Sequence, residues 1–202
     1  MPAFRPARRG SLKVPFDMPS AILSRPFVTA FNEVYFRRGA AKAGNDLLVG
    51  IDPYFFPLDG VGHWNKIYGA RGFVQHQCVI PKAASSRALA EIIDRICRLG
   101  SPSFLAVLKL LGAADGVLSF PMEGYTMALD FPASHMTLQL LDEIDRIVVA
   151  SGGRIYLAKD ARQQKATFES GYADALPRFR ALRRSIGATG KIESRLSMRL
   201  GV

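Results

Sequence analysis

Two lysines stand at the ends of apolar segments that have the length and composition of β-strands. Lys159 follows the apolar part of RIYLAKD, residues 154–160, and Lys109 lies near the end of SFLAVLKLLG, residues 103–112. Burial lowers the pKa of a lysine, so that the amine can accept a proton, or the ammonium can serve as a fixed cation. For each lysine taken alone, an ammonium that simply reaches solvent along its own alkyl chain is an equally good interpretation.

Two glutamines occupy alternate positions in GFVQHQCVIP, residues 72–81, whose alternation and final proline are typical of a strand. Because successive side chains of a strand point to opposite faces, Gln75 and Gln77 share one face. Two neighbouring amides there could form hydrogen bonds with a ligand. The alternative is a face that only meets water.

The same alternation groups side chains on two further strands. In residues 103–109, one face carries Leu105, Val107 and Lys109. In residues 125–131, one face carries Thr126, Ala128 and Asp130. Lys109 therefore shares its face with apolar side chains.

The strands alternate with two amphipathic helices. The first helix is predicted over residues 85–100, with a serine cap and a C-terminal glycine, and the second over residues 134–153. The predicted strands are 72–81, 103–112, 125–132 and 154–160. The order is β-α-β-β-α-β, a split βαβ (ferredoxin-like) arrangement of the α+β class. It places two helices on one face of an antiparallel sheet and leaves the other face free to cover something.

Three flanking segments do not fit this pattern. We expect residues 1–26, with five of the twelve prolines, to form an extended basic arm, and residues 27–38 to form a short amphipathic helix. The aromatic residues 51–72 could be a mobile lid over an apolar ligand, or a loop packed on its own sheet. After Asp160, arginine-rich helical pieces are predicted, which look too polar to form a core and should pack against another surface.

Positive charge is concentrated at the two ends of the chain, whose formal net charge is +10. Residues 1–42 carry eight basic and two acidic side chains, and residues 153–202 carry eleven and four. The two ends could share an acidic partner, such as nucleic acid, an anionic membrane face, a phosphorylated ligand or an acidic protein surface. They could also be no more than a solubilising surface.

Several classes of function are disfavoured by what the sequence lacks. No apolar run reaches the roughly 18 residues of a membrane span, and no signal peptide is recognisable, so a cytoplasmic location is expected. Two cysteines and three histidines show no zinc spacing, so no metal is expected. ARGFVQ resembles part of an RNA-binding signature, but it lies on the first strand rather than the third, and we expect no nucleic acid partner. The sequence also contains no glycine-rich phosphate loop.

Six segments, in order from about residue 14 to the end, carry a resemblance to a known family. They are RPFVTAFNEVYFRR, FPLDGVGHWNKIYGARGFVQHQCVIP, SPSFLAVLKLLG, LSFPMEGYTMALDFP, GGRIYLAKDAR and RLSMRLGV. Together they are similar to the C-terminal half of the decaprenylphosphoryl-β-D-ribose oxidase family, which are FAD-linked oxidoreductases of the vanillyl-alcohol-oxidase type. The combination of PLDGVGHWNKIYG with YLAKDAR is the specific part of this resemblance.

The resemblance implies a division of the chain and a set of site residues. Residues 27–154 would be the substrate (cap) domain, and residues 155–202 would complete an FAD-binding domain. Lys159 would face the flavin and the substrate sugar as a catalytic and cofactor-binding residue, with Tyr156 beside it and Lys109 as a second catalytic residue. Under a flexible lid of residues 57–71, the substrate would contact Gln75, Gln77, Phe55, Leu105, Val107 and Thr126.

Two departures from the family pattern matter. Many mycobacterial members have a cysteine two residues before DFP, where this chain has Ala128, so covalent inhibitors aimed at that thiol should fail. The FAD-binding module of the family, with its glycine-rich pyrophosphate loop, is not in this sequence. We therefore expect a truncated product, or a module supplied by a separate polypeptide.

The resemblance leaves two hypotheses about function. As an enzyme complemented by an FAD-binding module, the chain would oxidise a lipid-linked pentose phosphate to a keto sugar, which a partner reductase would convert in a sugar epimerisation for cell wall polysaccharide. It would then be inactive alone. As a non-catalytic binding module that has lost flavin, it would use its basic ends to hold a protein or an anionic lipid. The expected partners are an FAD-binding domain polypeptide or a second copy of the chain, in the cytoplasm or peripheral at the inner membrane face.

Overall fold

The computed structural model describes residues 12–43, 51, 57–99, 103, 105–114 and 116–202. The chain forms two compact units, one up to Phe73 and one from Val74 to the C-terminus, and each unit has its own internal contacts. Within the described ranges, no helix is both long and apolar enough to cross a bilayer.

The first unit is built around a short parallel pairing of strand β1 (Leu12–Lys13) with strand β2 (Val61–Gly62). Among the described residues, this unit also contains the long helix α1 (Arg25–Ala40) and the short 3₁₀ helices Ser20–Leu23, Pro57–Gly60 and Trp64–Tyr68. Of the arm expected over residues 1–26, residues 1–11 lie outside the described residues. The remainder contains β1 and the first 3₁₀ helix, so it is not extended throughout.

Helix α1 confirms the helix predicted over residues 27–38 and adds two residues at each end. Its proline lies in the first turn, where a missing amide hydrogen costs nothing. Val28 is buried, whereas Phe31 and Tyr35 stack on each other in exposed positions of this helix.

The aromatic segment 51–72 is described from residue 57 onward, apart from Ile51. Tyr68 is buried and its ring lies 4.6 Å from the ring of Phe73, and Trp64 lies 5.2 Å from the same ring. This packing favours an aromatic loop with contacts of its own. Closure of the segment over a ligand stays a prediction.

The second unit contains a four-stranded sheet, which confirms the α+β class and the antiparallel sheet predicted from the sequence. Its strands are β3 (Phe73–Pro81), β4 (Leu105–Leu111), β5 (Gly124–Pro132) and β6 (Arg154–Ile155), in the spatial order β4-β5-β3-β6. The β4–β5 and β3–β6 pairs are antiparallel. Strand β5 lies between β3 and β4, the two strands that a helix connects, as in a split βαβ fold.

Two helices, α2 (Lys82–Leu99) and α3 (His135–Ala150), cover one face of this sheet. Apolar residues from both helices and three strands form the core between the layers: Cys78, Ile80, Ile92, Phe131, Leu140, Leu141, Ile144, Val148 and Ile155. Burying each large apolar side chain contributes roughly 1.5–3 kcal/mol. The apolar periodicity of the two helices therefore determines which face of each helix packs on the sheet.

The first helix begins earlier than the sequence pattern predicts. Strand β3 ends at Pro81 and α2 begins at Lys82, so Ser85 is not the cap. Its hydroxyl instead donates to the carbonyl oxygen of Lys82, one turn earlier. Pro81 has no amide hydrogen for the sheet ladder, and the chain enters the helix there without a loop.

The strand predicted over residues 154–160 is mostly wrong. Strand β6 covers Arg154–Ile155, and a 3₁₀ helix follows at Leu157–Lys159. The apolar run is divided between two cores, because Ile155 packs in the sheet core and Leu157 packs in a second cluster. Lys159 is therefore carried by a helical turn and not by a strand end.

The C-terminal segment has a small core of its own, contrary to the expectation that it is too polar. Its helices are α4 (Lys165–Gly171), α5 (Leu176–Ser185) and α6 (Arg195–Leu200). Phe168, Tyr172, Leu176 and Leu200 are buried against one another. Phe168, Tyr172 and Leu176 are spaced four residues apart, as on one helix face, but they are divided between two helices and the turn that joins them, and Leu200 reaches them from α6.

Candidate functional site

The sheet face opposite the two helices carries the candidate ligand-binding side chains. Cys78 and Ile80 point into the helix-covered core, so Gln75 and Gln77 at the odd positions of β3 point to the open face. There Nε2 of Gln75 donates to Oδ1 of Asp130 over 2.9 Å, and Nε2 of Gln77 donates to Oγ1 of Thr126 over 3.1 Å. Each glutamine therefore reaches a partner on the neighbouring strand β5.

Strand β4 adds three more predicted site residues to the same face. In the register of β4 and β5, Leu105 is opposite Asp130, Val107 is opposite Ala128, and Lys109 is opposite Thr126. Directly opposed residues share a face. The structure thus brings together Gln75, Gln77, Thr126, Leu105, Val107 and Lys109.

Lys109 differs from the expectation of a partly buried lysine. It is exposed on β4, the outer strand of the sheet. An edge strand has a neighbour on one side only, so the alkyl chain of Lys109 lies near solvent. The interpretation that its ammonium reaches water is therefore the better one for this residue.

Asp130 is the buried acid of the open face, although the sequence did not mark it as a site residue. The residue is 2% exposed, and its Oδ2 has no hydrogen-bond partner among the described residues. Burial raises the pKa of its carboxyl above the usual 3.8, and the hydrogen bond from Gln75 and the charge of Lys159 oppose that rise. Asp130 thus holds the amide of Gln75 by a hydrogen bond and lies within the electrostatic reach of Lys159.

Lys159 lies at a cavity of about 170 Å³ next to the edge strand β6. Gln75, His76, Leu138 and Arg162 also line this cavity. Lys159 is half-buried, and no ion pair or hydrogen bond within the described ranges engages its ammonium. Of the two cations that line the cavity, Arg162 is paired with carboxylates, so the ammonium of Lys159 is the one left for a ligand among the described residues.

The remaining two predicted site residues are Tyr156 and Phe55. The ring of Tyr156 packs against Phe120 with centroids 4.5 Å apart, and its amide donates to the carbonyl oxygen of Gln77 over 2.8 Å. Tyr156 thus joins the backbone of β3 to the turn that carries Lys159. Phe55 lies outside the described residues.

Sequence reasoning missed a buried network of ionisable side chains, two of which, His76 and Arg162, line the cavity. Nε2 of His76 lies 2.8 Å from Oδ1 of Asp145, and a guanidinium nitrogen of Arg162 lies 2.9 Å from Oδ2 of the same carboxylate. Arg162 also pairs with Asp142 and donates to the carbonyl oxygen of Leu141. Two sequence features could have indicated this network: His76 lies in an apolar strand, and Asp145 lies on the apolar face of a helix.

The side chain of Asp160, the residue after Lys159, holds the backbone that follows the cavity-lining turn. Its Oδ1 accepts from the amides of Arg162 and Gln163, and its Oδ2 pairs with Arg199 of α6 over 2.8 Å. Two loop amides and one guanidinium thus satisfy a buried carboxylate. The backbone on the C-terminal side of Lys159 is held by these bonds.

The described sheet carries helices on one face and hydrogen-bonding side chains on the other, and comparison with known proteins finds the chain similar to part of an oxidase. Over 190 residues, 94% of the chain, it is 33% identical to decaprenylphosphoryl-beta-D-ribose oxidase of Mycolicibacterium smegmatis. The chain is therefore a partial homologue of that oxidase, as its motifs predicted.

A second relative and the lengths of both relatives define the extent of this match. The chain is 32% identical over 167 residues to an uncharacterized protein of the mprA 5′ region in Streptomyces coelicolor. It spans 40% of the length of the mycobacterial oxidase and 44% of the length of the Streptomyces protein. No protein-family profile matches the chain.

Proposed function

We propose that the chain is the substrate-domain portion of an FAD-dependent sugar oxidoreductase. It would oxidise a phosphorylated, lipid-linked pentose to a keto sugar, as one enzyme of an epimerase pair. The FAD-binding module would lie elsewhere on the polypeptide or on a second chain. The observation that carries the proposal is the pair of glutamines on the open sheet face, one bound to Asp130 and one to Thr126, with Gln75 also lining the cavity at which the half-buried Lys159 lies.

The residues at the cavity fit a flavin ring. Lys159 provides a half-buried positive charge that forms no ion pair with a described carboxylate, although Asp130 lies within reach of its field, and such a charge stabilises the anion of a reduced flavin. Tyr156 would lie beside the ring. The bound flavin would supply the hydride acceptor for the sugar carbon.

The chain's own residues would bind and orient the sugar. Gln75 and Gln77 would accept hydrogen bonds from sugar hydroxyls, and Val107 on β4 with Ala128 on β5 would form an apolar floor beside them. Lys109, exposed at the outer strand, would attract the phosphate. Fixing the sugar in one orientation before reaction is worth several orders of magnitude in rate.

Replacing Lys159 tests the proposal. In a complex with the FAD-binding module, Lys159→Met should slow sugar-dependent bleaching of the flavin by about 100-fold, since a preorganised charge at a developing anion is worth that much. Lys159→Arg keeps the charge and should retain most of the rate. The exposed Lys191 provides the matched control. Lys191→Met also removes one positive charge, but at a position distant in sequence from the 3₁₀ helix that carries Lys159.

Three outcomes of this experiment can be separated. A wild-type complex that binds flavin and is bleached by a pentose phosphate supports the enzyme. Equal rates for Lys159→Met and Lys191→Met would remove the role assigned to Lys159. A complex that stays colourless would favour the binding-module hypothesis.

A further inference from the structure

The two glutamines of the open face are held by partners of different chemistry. Gln75 donates to a carboxylate, which in its ionised form can only accept hydrogen bonds. The side-chain amide of Gln75 therefore cannot rotate to exchange its nitrogen and oxygen. Gln77 donates to a hydroxyl, which can accept or donate. The Gln77 amide therefore has two acceptable orientations, and the Gln75 amide has one.

Asp130 is itself fixed in place. Its amide donates to Oγ of Ser103 over 3.2 Å, and it lies opposite Leu105 in the β4–β5 register. The groups that act on its carboxyl are the amide of Gln75 on β3 and the charge of Lys159, and Leu105 is its neighbour on β4. Lys159 is the cation among them, and it favours the ionised form of Asp130.

We propose that Asp130 is a positioning residue that turns the carbonyl oxygen of Gln75 toward the open face, where it selects ligands that donate a hydroxyl. With Nε2 bound to Asp130, Oε1 is the amide atom left for a ligand. Oε1 is not among the buried atoms that lack a partner, whereas the second oxygen of Asp130 is. The ligand class, a sugar with free hydroxyls, rests on the proposed function; the orientation of the amide does not.

The orientation can be measured on the 202-residue chain without a ligand. The side-chain NH₂ resonances of Gln75 in ¹⁵N-resolved NMR should titrate with the carboxyl of Asp130, with a midpoint above 3.8, because burial raises the pKa of that carboxyl. In Asp130→Asn this titration should vanish. The Gln77 resonances, bound to a hydroxyl, should not follow it. Gln75 resonances that ignore pH would overturn the proposal.

Selectivity is then measured with ribose 5-phosphate and 2-deoxyribose 5-phosphate as probes. A site built to accept a hydroxyl should bind the first about tenfold more tightly, the value of one hydrogen bond. In Asp130→Asn the preference should fall to about threefold or less, since an amide partner lets Gln75 turn over. Asp94→Asn is the matched control, because it makes the same substitution at an exposed helix carboxylate that pairs with Arg98, and it should keep the preference.

The two measurements separate the inference from the proposed function. Equal preference in wild type and Asp130→Asn would overturn the positioning role while leaving a sugar site in place. An NMR titration at Gln75 with no binding of either sugar phosphate would overturn the sugar-oxidoreductase proposal and support the orientation of the amide.

Discussion

Removing Asp145 should destabilise the second unit through its buried ionic network. The carboxylate of Asp145 and the imidazole of His76 are each only 3% exposed, and Arg162 is 16% exposed. Asp145→Ala would leave both partners without this acceptor. Breaking a buried ion pair in this way costs about 3–5 kcal/mol.

The expected cost lies at the lower end of this range. Arg162 keeps its bonds to Asp142 and to the carbonyl oxygen of Leu141, so its charge stays paired. The loss is then mainly the His76 contact and the space left on α3. A cost of about 3 kcal/mol corresponds to a fall in Tm of about 6–12 °C for a chain of this size.

Thermal and guanidinium unfolding followed by circular dichroism would measure this change. Asp145→Asn keeps the shape and one acceptor, and should cost about 1–2 kcal/mol. Glu143→Ala on the same helix is the surface control, because its pair with Arg95 is exposed and worth about 0–1 kcal/mol. An Asp145→Ala variant as stable as Glu143→Ala would refute the reasoning.

Two more perturbations test other parts of the site. Because the pKa of Asp130 is raised on folding, the native state binds its proton more tightly than the unfolded chain, and this group's contribution to stability falls as pH rises above about 3.8. Urea unfolding at several pH values should show that Asp130→Asn gains stability relative to wild type across this window; a constant difference would contradict the sign. Gly124→Ala should cost more than about 3 kcal/mol or prevent folding, since its Cβ would lie 2.1 Å from the carbonyl oxygen of Ile80 on β3. Gly112→Ala, with open space around its Cβ, should unfold within about 1 kcal/mol of wild type, and equal losses for the two would rule out the close strand approach.

Much of the second unit, which contains the four-stranded sheet, could be predicted from the periodicity of its helices and strands. Residues two apart in β3 and β5 had to share a face, and α3 begins after Ser134, whose hydroxyl accepts from the amide of Thr137 as a cap should. The end of the sheet could not be predicted in the same way. The apolar run after Gly153 serves two cores, and periodicity describes one core at a time.

Some features of the candidate site could likewise be predicted from local periodicity, and others depend on the tertiary structure. Alternation alone placed Gln75 beside Gln77, because the geometry of a strand is local. The pairing of Gln75 with Asp130 joins residues that are 55 positions apart, so it depends on which strands are neighbours and in which register. The same is true of Asp145 and His76, 69 positions apart.

By itself, the sequence determined the order of the elements, the face on which each side chain lies and the likeness to the oxidase, because these follow from short-range periodicity and ordered motifs. Only the tertiary structure decided that Lys159 is carried by a helical turn at a cavity, that Asp130 holds Gln75, and that the C-terminal segment has a core. Hydrogen bonds and packing between distant segments form only once the strands have paired, and local sequence pattern does not encode that pairing.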